Sequence, residues 1–168
     1  MSTNPLTIRN ASLEDLADIV RIYNSTIEGR MVTADTEPVT TASREGWFYE
    51  HSADFRPLWV LENGSGICGW LSFQSFYGRP AYNATAEVSI YVDEAFRGQG
   101  IGRYLMEHAI DASPRLGLKT LLGFIFGHND PSLHLFRKFG FANWAHLPGV
   151  AELDGIERDL IILGKRVG

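Results

Sequence analysis

The sequence predicts an α/β fold, a mixed sheet covered by helices, and three observations carry that prediction. Residues Ala84 to Val92 alternate strictly, with Ala84, Ala86, Val88, Ile90 and Val92 on one face and Thr85, Glu87, Ser89 and Tyr91 on the other. That two-residue period is the mark of a half-buried strand. Leu121 to Phe126 is a continuous apolar run, which suits a strand buried on both faces. Segments with helical spacing separate such strands, and the order β-α-α-β-β-β-α-β-α-β-β calls for a mixed sheet with helices packed over it.

Each element has its own local reason. Leu6 to Arg9 is a short first strand, and Ser12-Leu13-Glu14-Asp15 reads as an N-cap with an acidic first turn. Leu13, Leu16, Ile19, Val20, Tyr23 and Ile27 then recur at helical spacing, with Gly29 beyond them. The polar connector Arg30 to Thr41 has the length of a binding loop, and a short helix is expected over Ala42 to His51. Leu58 to Glu62 and Gly66 to Phe76 form a hairpin, for which Asn63-Gly64 is expected to supply the positive φ angles of a tight turn. A helix is predicted from about Gly100 to Leu116. A second, shorter helix is capped by Asn129 or Asp130, with Pro131 near its start and Gly140 past its end. Phe141 to Leu147 and Leu153 to Leu163 complete the chain as strands. No linker, repeat or low-complexity segment divides it, so residues 1–168 are expected to form one domain.

Composition narrows the function. The 168 residues are 45% apolar and 21% charged with 10 Phe, 6 Tyr and 4 Trp, far too aromatic for a disordered chain. A net charge of -5 without runs of like charge disfavours a nucleic-acid or anionic-membrane partner. Twelve of the 15 basic residues are nonetheless Arg, whose fork suits carboxylate and phosphate. The single cysteine, Cys68, reads as a small buried hydrophobe and excludes an internal disulfide. The five histidines are scattered, and no metal site is expected. Met1 to Asn10 lacks a basic start followed by an apolar run, so a cytoplasmic protein is the expectation.

The most informative segment is Arg97-Gly98-Gln99-Gly100-Ile101-Gly102, placed between the alternating strand and a helix. Three glycines in five positions are costly at a helix start unless the backbone must come close to something. Free N–H groups at a helix N-terminus, with the positive end of its dipole, form an anion site that a diphosphate can approach where Cβ atoms are missing. Arg97 adds a charge. The P-loop pattern fails because Arg103-Tyr104 follows Gly102, and the dinucleotide fingerprint fails on glycine spacing.

Taken with Val88 to Val92, the Asn129-Asp130-Pro131-Ser132 segment and Leu135-Phe136-Arg137-Lys138-Phe139-Gly140-Phe141, this loop resembles the GNAT superfamily of acetyl-CoA-dependent N-acetyltransferases. Ile22-Tyr23-Asn24, Thr33 to Pro38, Arg79-Pro80-Ala81-Tyr82 and Ala86 to Ser89 resemble its phosphinothricin and methionine sulfoximine group. The resemblance spans about Leu6 to Leu163 and implies a GNAT-like mixed, mostly antiparallel sheet flanked by helices, in the α/β (α+β) class. It implies acetyl-CoA as cosubstrate, with backbone N–H groups of Gly98, Gln99, Gly100, Ile101, Gly102 and Arg103 on the pyrophosphate. Ser89, Ile90 and Tyr91 would run beside the pantetheine arm, and Asn129, with Ser132 nearby, would bond to it; a helix N-cap is the other role open to Asn129. A homodimer is a further implication.

Amide formation needs a neutral amine, so a group must take its proton directly or through water. Glu87, on the polar face of the strand, is the candidate, provided burial raises its carboxyl or a water relays the proton. A solvated strand glutamate is the alternative. Where the resemblance leads one to look for a tyrosine that protonates the leaving thiolate, this chain has Phe136, which leaves solvent or another group such as Tyr91. For the acceptor, a small amine, Arg79 beside Tyr82 is expected to clamp a carboxylate, unless it is an ordinary surface arginine in a turn. A small amino-acid-like substrate is the leading reading. A polyamine, aminoglycoside or protein N-terminus, or a non-catalytic coenzyme-binding module, are the alternatives.

Overall fold

Helices interrupt a run of seven strands in the computed structural model, which describes residues 5–168; Met1 to Asn4, part of the segment read for a leader, lie outside it. The strands are Thr7–Asn10 (β1), Leu58–Asn63 (β2), Gly66–Ser75 (β3), Thr85–Val92 (β4), Thr120–Phe126 (β5), Ala142–Leu153 (β6) and Ile156–Arg166 (β7). The helices are Leu16–Ser25 (α1), Glu45–Tyr49 (α2), Ile101–Ala112 (α3) and Asp130–Lys138 (α4). The seven strands form one sheet in the order β1-β2-β3-β4-β5-β7-β6. All neighbours are antiparallel except β4 and β5, so the sheet is mixed and mostly antiparallel.

The two faces of β4 sort as its alternation predicts. Ala86 and Val88 are buried with Phe73, Leu105, Met106 and Leu121 in the core beneath α3. On the opposite face Trp70 of β3 packs with Val60, Ile19 and Ile22 beneath α1, and its indole N–H donates to the Ile19 carbonyl at 3.1 Å. Glu87, Ser89 and Tyr91 belong to that second face.

Several boundaries differ from expectation for local reasons. Leu13–Asp15 is a 3-10 turn held by the Asp15 carboxylate, which accepts from the Ser12 N–H at 2.7 Å; the α-helix starts only at Leu16. Ala42–Arg44 is likewise a 3-10 turn ahead of α2. α3 ends at Ala112 because Ser113 turns its hydroxyl back onto the Ala109 carbonyl at 2.7 Å and Pro114 lacks an N–H. The hairpin of β2 and β3 forms as expected, and only its turn is corrected. Asn63 pairs with Gly66, Gly64 and Ser65 form the turn, and the positive φ falls on Gly66 at 130°. The tight turn with two consecutive positive φ angles is Asp154-Gly155, at 53° and 77°, and it joins β6 to β7. Leu153 therefore closes β6 and does not open β7.

Candidate active site

Three cross-strand pairs of β3 and β4 place six side chains on the α1 face: Trp70 opposite Tyr91, Ser72 opposite Ser89, and Gln74 opposite Glu87. They floor a cavity of about 200 Å³ that Tyr23 of α1, Arg44 and Trp47 close from above. The aromatic part is firm. Trp70 and Tyr91 stack with ring centroids 4.5 Å apart, and Trp47 meets Trp70 edge-on at 5.5 Å. Glu87 thus lies at the polar end of a small aromatic-walled space. Burial pushes its carboxyl above the ordinary value, the direction that makes its anion a better base.

A second space adjoins the first. β4 and β5 pair only through Thr85–Thr120, Ala86–Leu121 and Glu87–Leu122 and then part, leaving a wedge in the middle of the sheet. Val88, Ser89, Ile90 and Tyr91 form one wall, Phe124 and Ile125 the other, and Asn129, Ser132 and Phe136 the end. Ser89 and Tyr91 border both spaces. Asn129 is buried and caps α4, its carboxamide oxygen accepting from the Ser132 N–H at 3.3 Å. Its amide nitrogen carries no bond in the cap and is free to donate to a ligand in the wedge, so the cap and a binding role are compatible.

The glycine loop divides into two kinds of glycine. Gly98 and Gly100 are left-handed, at φ 79° and 78°, and a Cβ at either would meet nothing within 4 Å. Gly100 caps α3 without a side chain, leaving the first-turn N–H groups uncovered. Gly102 instead allows helix packing, since a Cβ there would come within 3.2 Å of Leu135 in α4. Ile101 is buried in the core and can offer a ligand only its backbone, whereas Arg97, Gln99 and Arg103 are exposed.

The structure does not bring Arg79 and Tyr82 to this cavity. Arg56, itself buried, donates to Ser75 Oγ at 3.0 Å and to the Asn83 carbonyl at 2.9 Å, closing the base of the loop they sit on. Phe76, Tyr77 and Tyr82 pack on one another at its exposed tip. The cationic side chain at the cavity is Arg44, which sequence reasoning missed. It pairs with Asp35 at 3.1 Å and lies 5.0 Å above the Tyr23 ring. The connector 30–41 brings it there: Asn24 and Val39 exchange two hydrogen bonds of 2.9 Å, and the Tyr23 hydroxyl reaches Thr33 and Asp35, so this loop folds onto the cavity. Phe136, in place of the sought tyrosine, is buried edge-on against Phe141 at 4.9 Å. Tyr91 is the phenol that borders both spaces, and burial raises it well above its ordinary value. Among the described residues no three His, Cys, Asp or Glu side chains gather as a metal site.

Residues 17–141 match the model of the acetyltransferase (GNAT) family. The chain belongs to the GNAT family. It is an acetyltransferase of the acetyl-CoA-dependent kind, and its relatives agree. YwnH of Bacillus subtilis, designated by inference a phosphinothricin acetyltransferase, is 56% identical over 96% of this chain and 99% of its own. The L-methionine sulfoximine/L-methionine sulfone acetyltransferase of Salmonella typhimurium is 30% identical over 94% and 92%. A GNAT superfamily phosphinothricin acetyltransferase from Sinorhizobium meliloti, solved in complex with acetyl-CoA, superposes with a TM-score of 0.90 at 26% identity, covering 97% and 89%. In this GNAT chain the left-handed glycines, the uncovered turn of α3 and the β4–β5 wedge fit an extended pyrophosphate-bearing thioester.

Proposed function

We propose that this enzyme acetylates the amine of a small amino-acid-like acceptor of the phosphinothricin or methionine sulfoximine type. The observation that carries the reading is the meeting of Glu87 and Arg44 on one small cavity beside the β4–β5 wedge. A zwitterion offers little apolar area, so its orientation must come from charged hydrogen bonds at both ends. Arg44 takes the carboxylate or phosphinate, the role expected of Arg79, with the guanidinium edge not engaged by Asp35. Glu87 takes a proton from the amine. At about 200 Å³ the cavity is smaller than pockets that enclose drug-sized ligands, which disfavours an aminoglycoside. Its cation disfavours a polyamine.

Acetyl-CoA supplies the activated acetyl group as a thioester. The N–H groups from Gly98 to Arg103 hold its pyrophosphate, with Arg97 adding charge. Ser89, Ile90 and Tyr91 present the edge of β4 that β5 leaves unpaired, and Asn129 and Ser132 close the far end. The Tyr91 phenol, which borders both spaces, is placed to pass a proton toward the leaving thiolate. A homodimer and a cytoplasmic setting are expectations attached to this reading.

The test is a screen of amino-acid-like amines followed by thiol release from acetyl-CoA. Arg44→Lys keeps the charge and loses the fork, so the Michaelis constant for the acid acceptor should rise more than turnover falls. Amidating the acceptor carboxylate should produce a similar loss in the wild type and little more in the variant. Equal activity on acid and amide would remove Arg44 from the site and reopen the polyamine and peptide readings.

A further inference from the structure

Ser72 lies on the cavity floor, and behind it stands a histidine that the mechanism so far leaves unused. His51 Nε2 is 2.8 Å from Ser72 Oγ, and His51 Nδ1 is 2.8 Å from the Trp47 carbonyl oxygen. A carbonyl can only accept, so Nδ1 carries the proton and Nε2 carries a lone pair. The Ser72 hydroxyl must then donate to Nε2, and its own lone pairs are left for a donor in the cavity. His51 also borders a second cavity, which it shares with Glu50, Arg56 and Gln74. Ser72 is 1% exposed overall yet lines the first cavity, so it and His51 together connect the two.

We propose that Ser72 and His51 form a proton relay that carries the ammonium proton of the acceptor out of the acetyl-transfer cavity. The inference rests on the reading of that cavity as the acceptor site. An acceptor that arrives as R–NH3⁺ must lose two protons to become an amide, and Glu87 can hold only one. In the relay the first proton passes from nitrogen to Ser72 Oγ while the Ser72 hydroxyl proton moves to His51 Nε2. The imidazolium then gives up its other proton, from Nδ1, leaving the Trp47 carbonyl for solvent in the second cavity, and the neutral ring returns to its Nδ1–H tautomer. As the C–N bond forms, Glu87 accepts the second proton; the C–S bond breaks and the thiolate takes a proton from Tyr91, which Glu87 or solvent restores. One proton thus ends on the thiol and one in solution. Burial lowers the proton affinity of His51, which keeps it neutral at rest and makes it release quickly a proton it takes up. The charged groups around it are Glu50 on its own segment, Arg56 at the second cavity, and Glu87 and Arg44 across the first.

The experiment compares two acceptors of the same shape, one with an ordinary α-amine and one with an aminooxy or hydrazino group that arrives neutral. Thiol release from acetyl-CoA is measured for the wild type, Ser72→Ala, His51→Gln and Glu87→Gln, with acetyl-CoA affinity and thermal stability as controls. The relay predicts that Ser72→Ala and His51→Gln each lose about 10²-fold in kcat/KM on the protonated acceptor and little on the neutral one. Glu87→Gln should lose on both. A purely structural role for Ser72 and His51 predicts equal losses on the two acceptors, and that result, or no loss on either, overturns the relay. If one variant fails to fold, the other carries the same comparison. Selective losses with an unimpaired Glu87→Gln would uphold the relay and remove Glu87 as the base. A wild type that releases no thiol with any amine would overturn the acceptor reading and the relay with it.

Discussion

Glu87 carries two opposed consequences of one fact, its partial burial on the polar face of β4. Burial raises its carboxyl, so the folded chain binds that proton more tightly than the unfolded chain does. Below the unfolded value, about 4.3 for glutamate, both states are protonated and the burial has no electrostatic cost. As the pH climbs through the raised folded value, the folded state must hold a buried charge and loses stability. Glu87→Gln should therefore melt higher than the wild type at pH 8 and equally at pH 4, as thermal melts at the two pH values would register. An offset of the same size at both would mean that the carboxyl ionises as freely as one in solvent. The glutamate was legible in the sequence because a strict alternation fixes its face. Arg44, Ser72 and His51 were not. Periodicity says which way a side chain points, whereas their meeting depends on the β3–β4 register and on how α2 approaches the sheet.

At the scale of elements, the glycine inside β5 sets how closely α4 can lie. A Cβ on Gly123 would come within 2.4 Å of the Phe136 ring, which rests directly on the strand backbone. Gly123→Ala should force α4 outward, cost roughly 1–3 kcal/mol as overpacking does, and move Asn129 at the helix start. Denaturant unfolding would register the first effect, and calorimetry a weaker affinity for acetyl-CoA the second. Full stability in the variant would show that Phe136 can turn aside freely. The element pattern was readable where local chemistry decides it, as in the Asn129 cap and the alternation of β4. It failed where a turn had two candidate glycines. At Asn63-Gly64 the Asn63 side chain instead accepts from the Ser65 N–H at 2.8 Å and shifts the turn by one residue. Asp154-Gly155, the two-residue turn with both φ angles positive, is masked in the sequence by Pro148 and Gly149 within β6, where its pairing with β7 shifts register.

For the whole molecule, the proposed coenzyme site depends on one departure from regularity: a parallel pair of strands, joined across α3, that separates after three residues. No single segment encodes that separation, because it lies between two strands and is closed at its far end by Asn129, Ser132 and Phe136. The glycine loop, which does have a local signature, marks its mouth. Acetyl-CoA bound there should stabilise the fold by mass action, about 2.7 kcal/mol at a hundredfold excess over its dissociation constant. Gly100→Asp places a side chain on a left-handed backbone and a negative charge beside the pyrophosphate, so the thermal shift should vanish; a shift that survives unchanged would displace the site. The most direct measurement of the account takes Glu87→Gln and determines, on the same sample, acetyl-CoA affinity by calorimetry and turnover by thiol release with an accepted amine. Wild-type affinity is expected, with turnover lowered by about 10²–10⁴-fold, as loss of a general base produces. Undiminished turnover would contradict it.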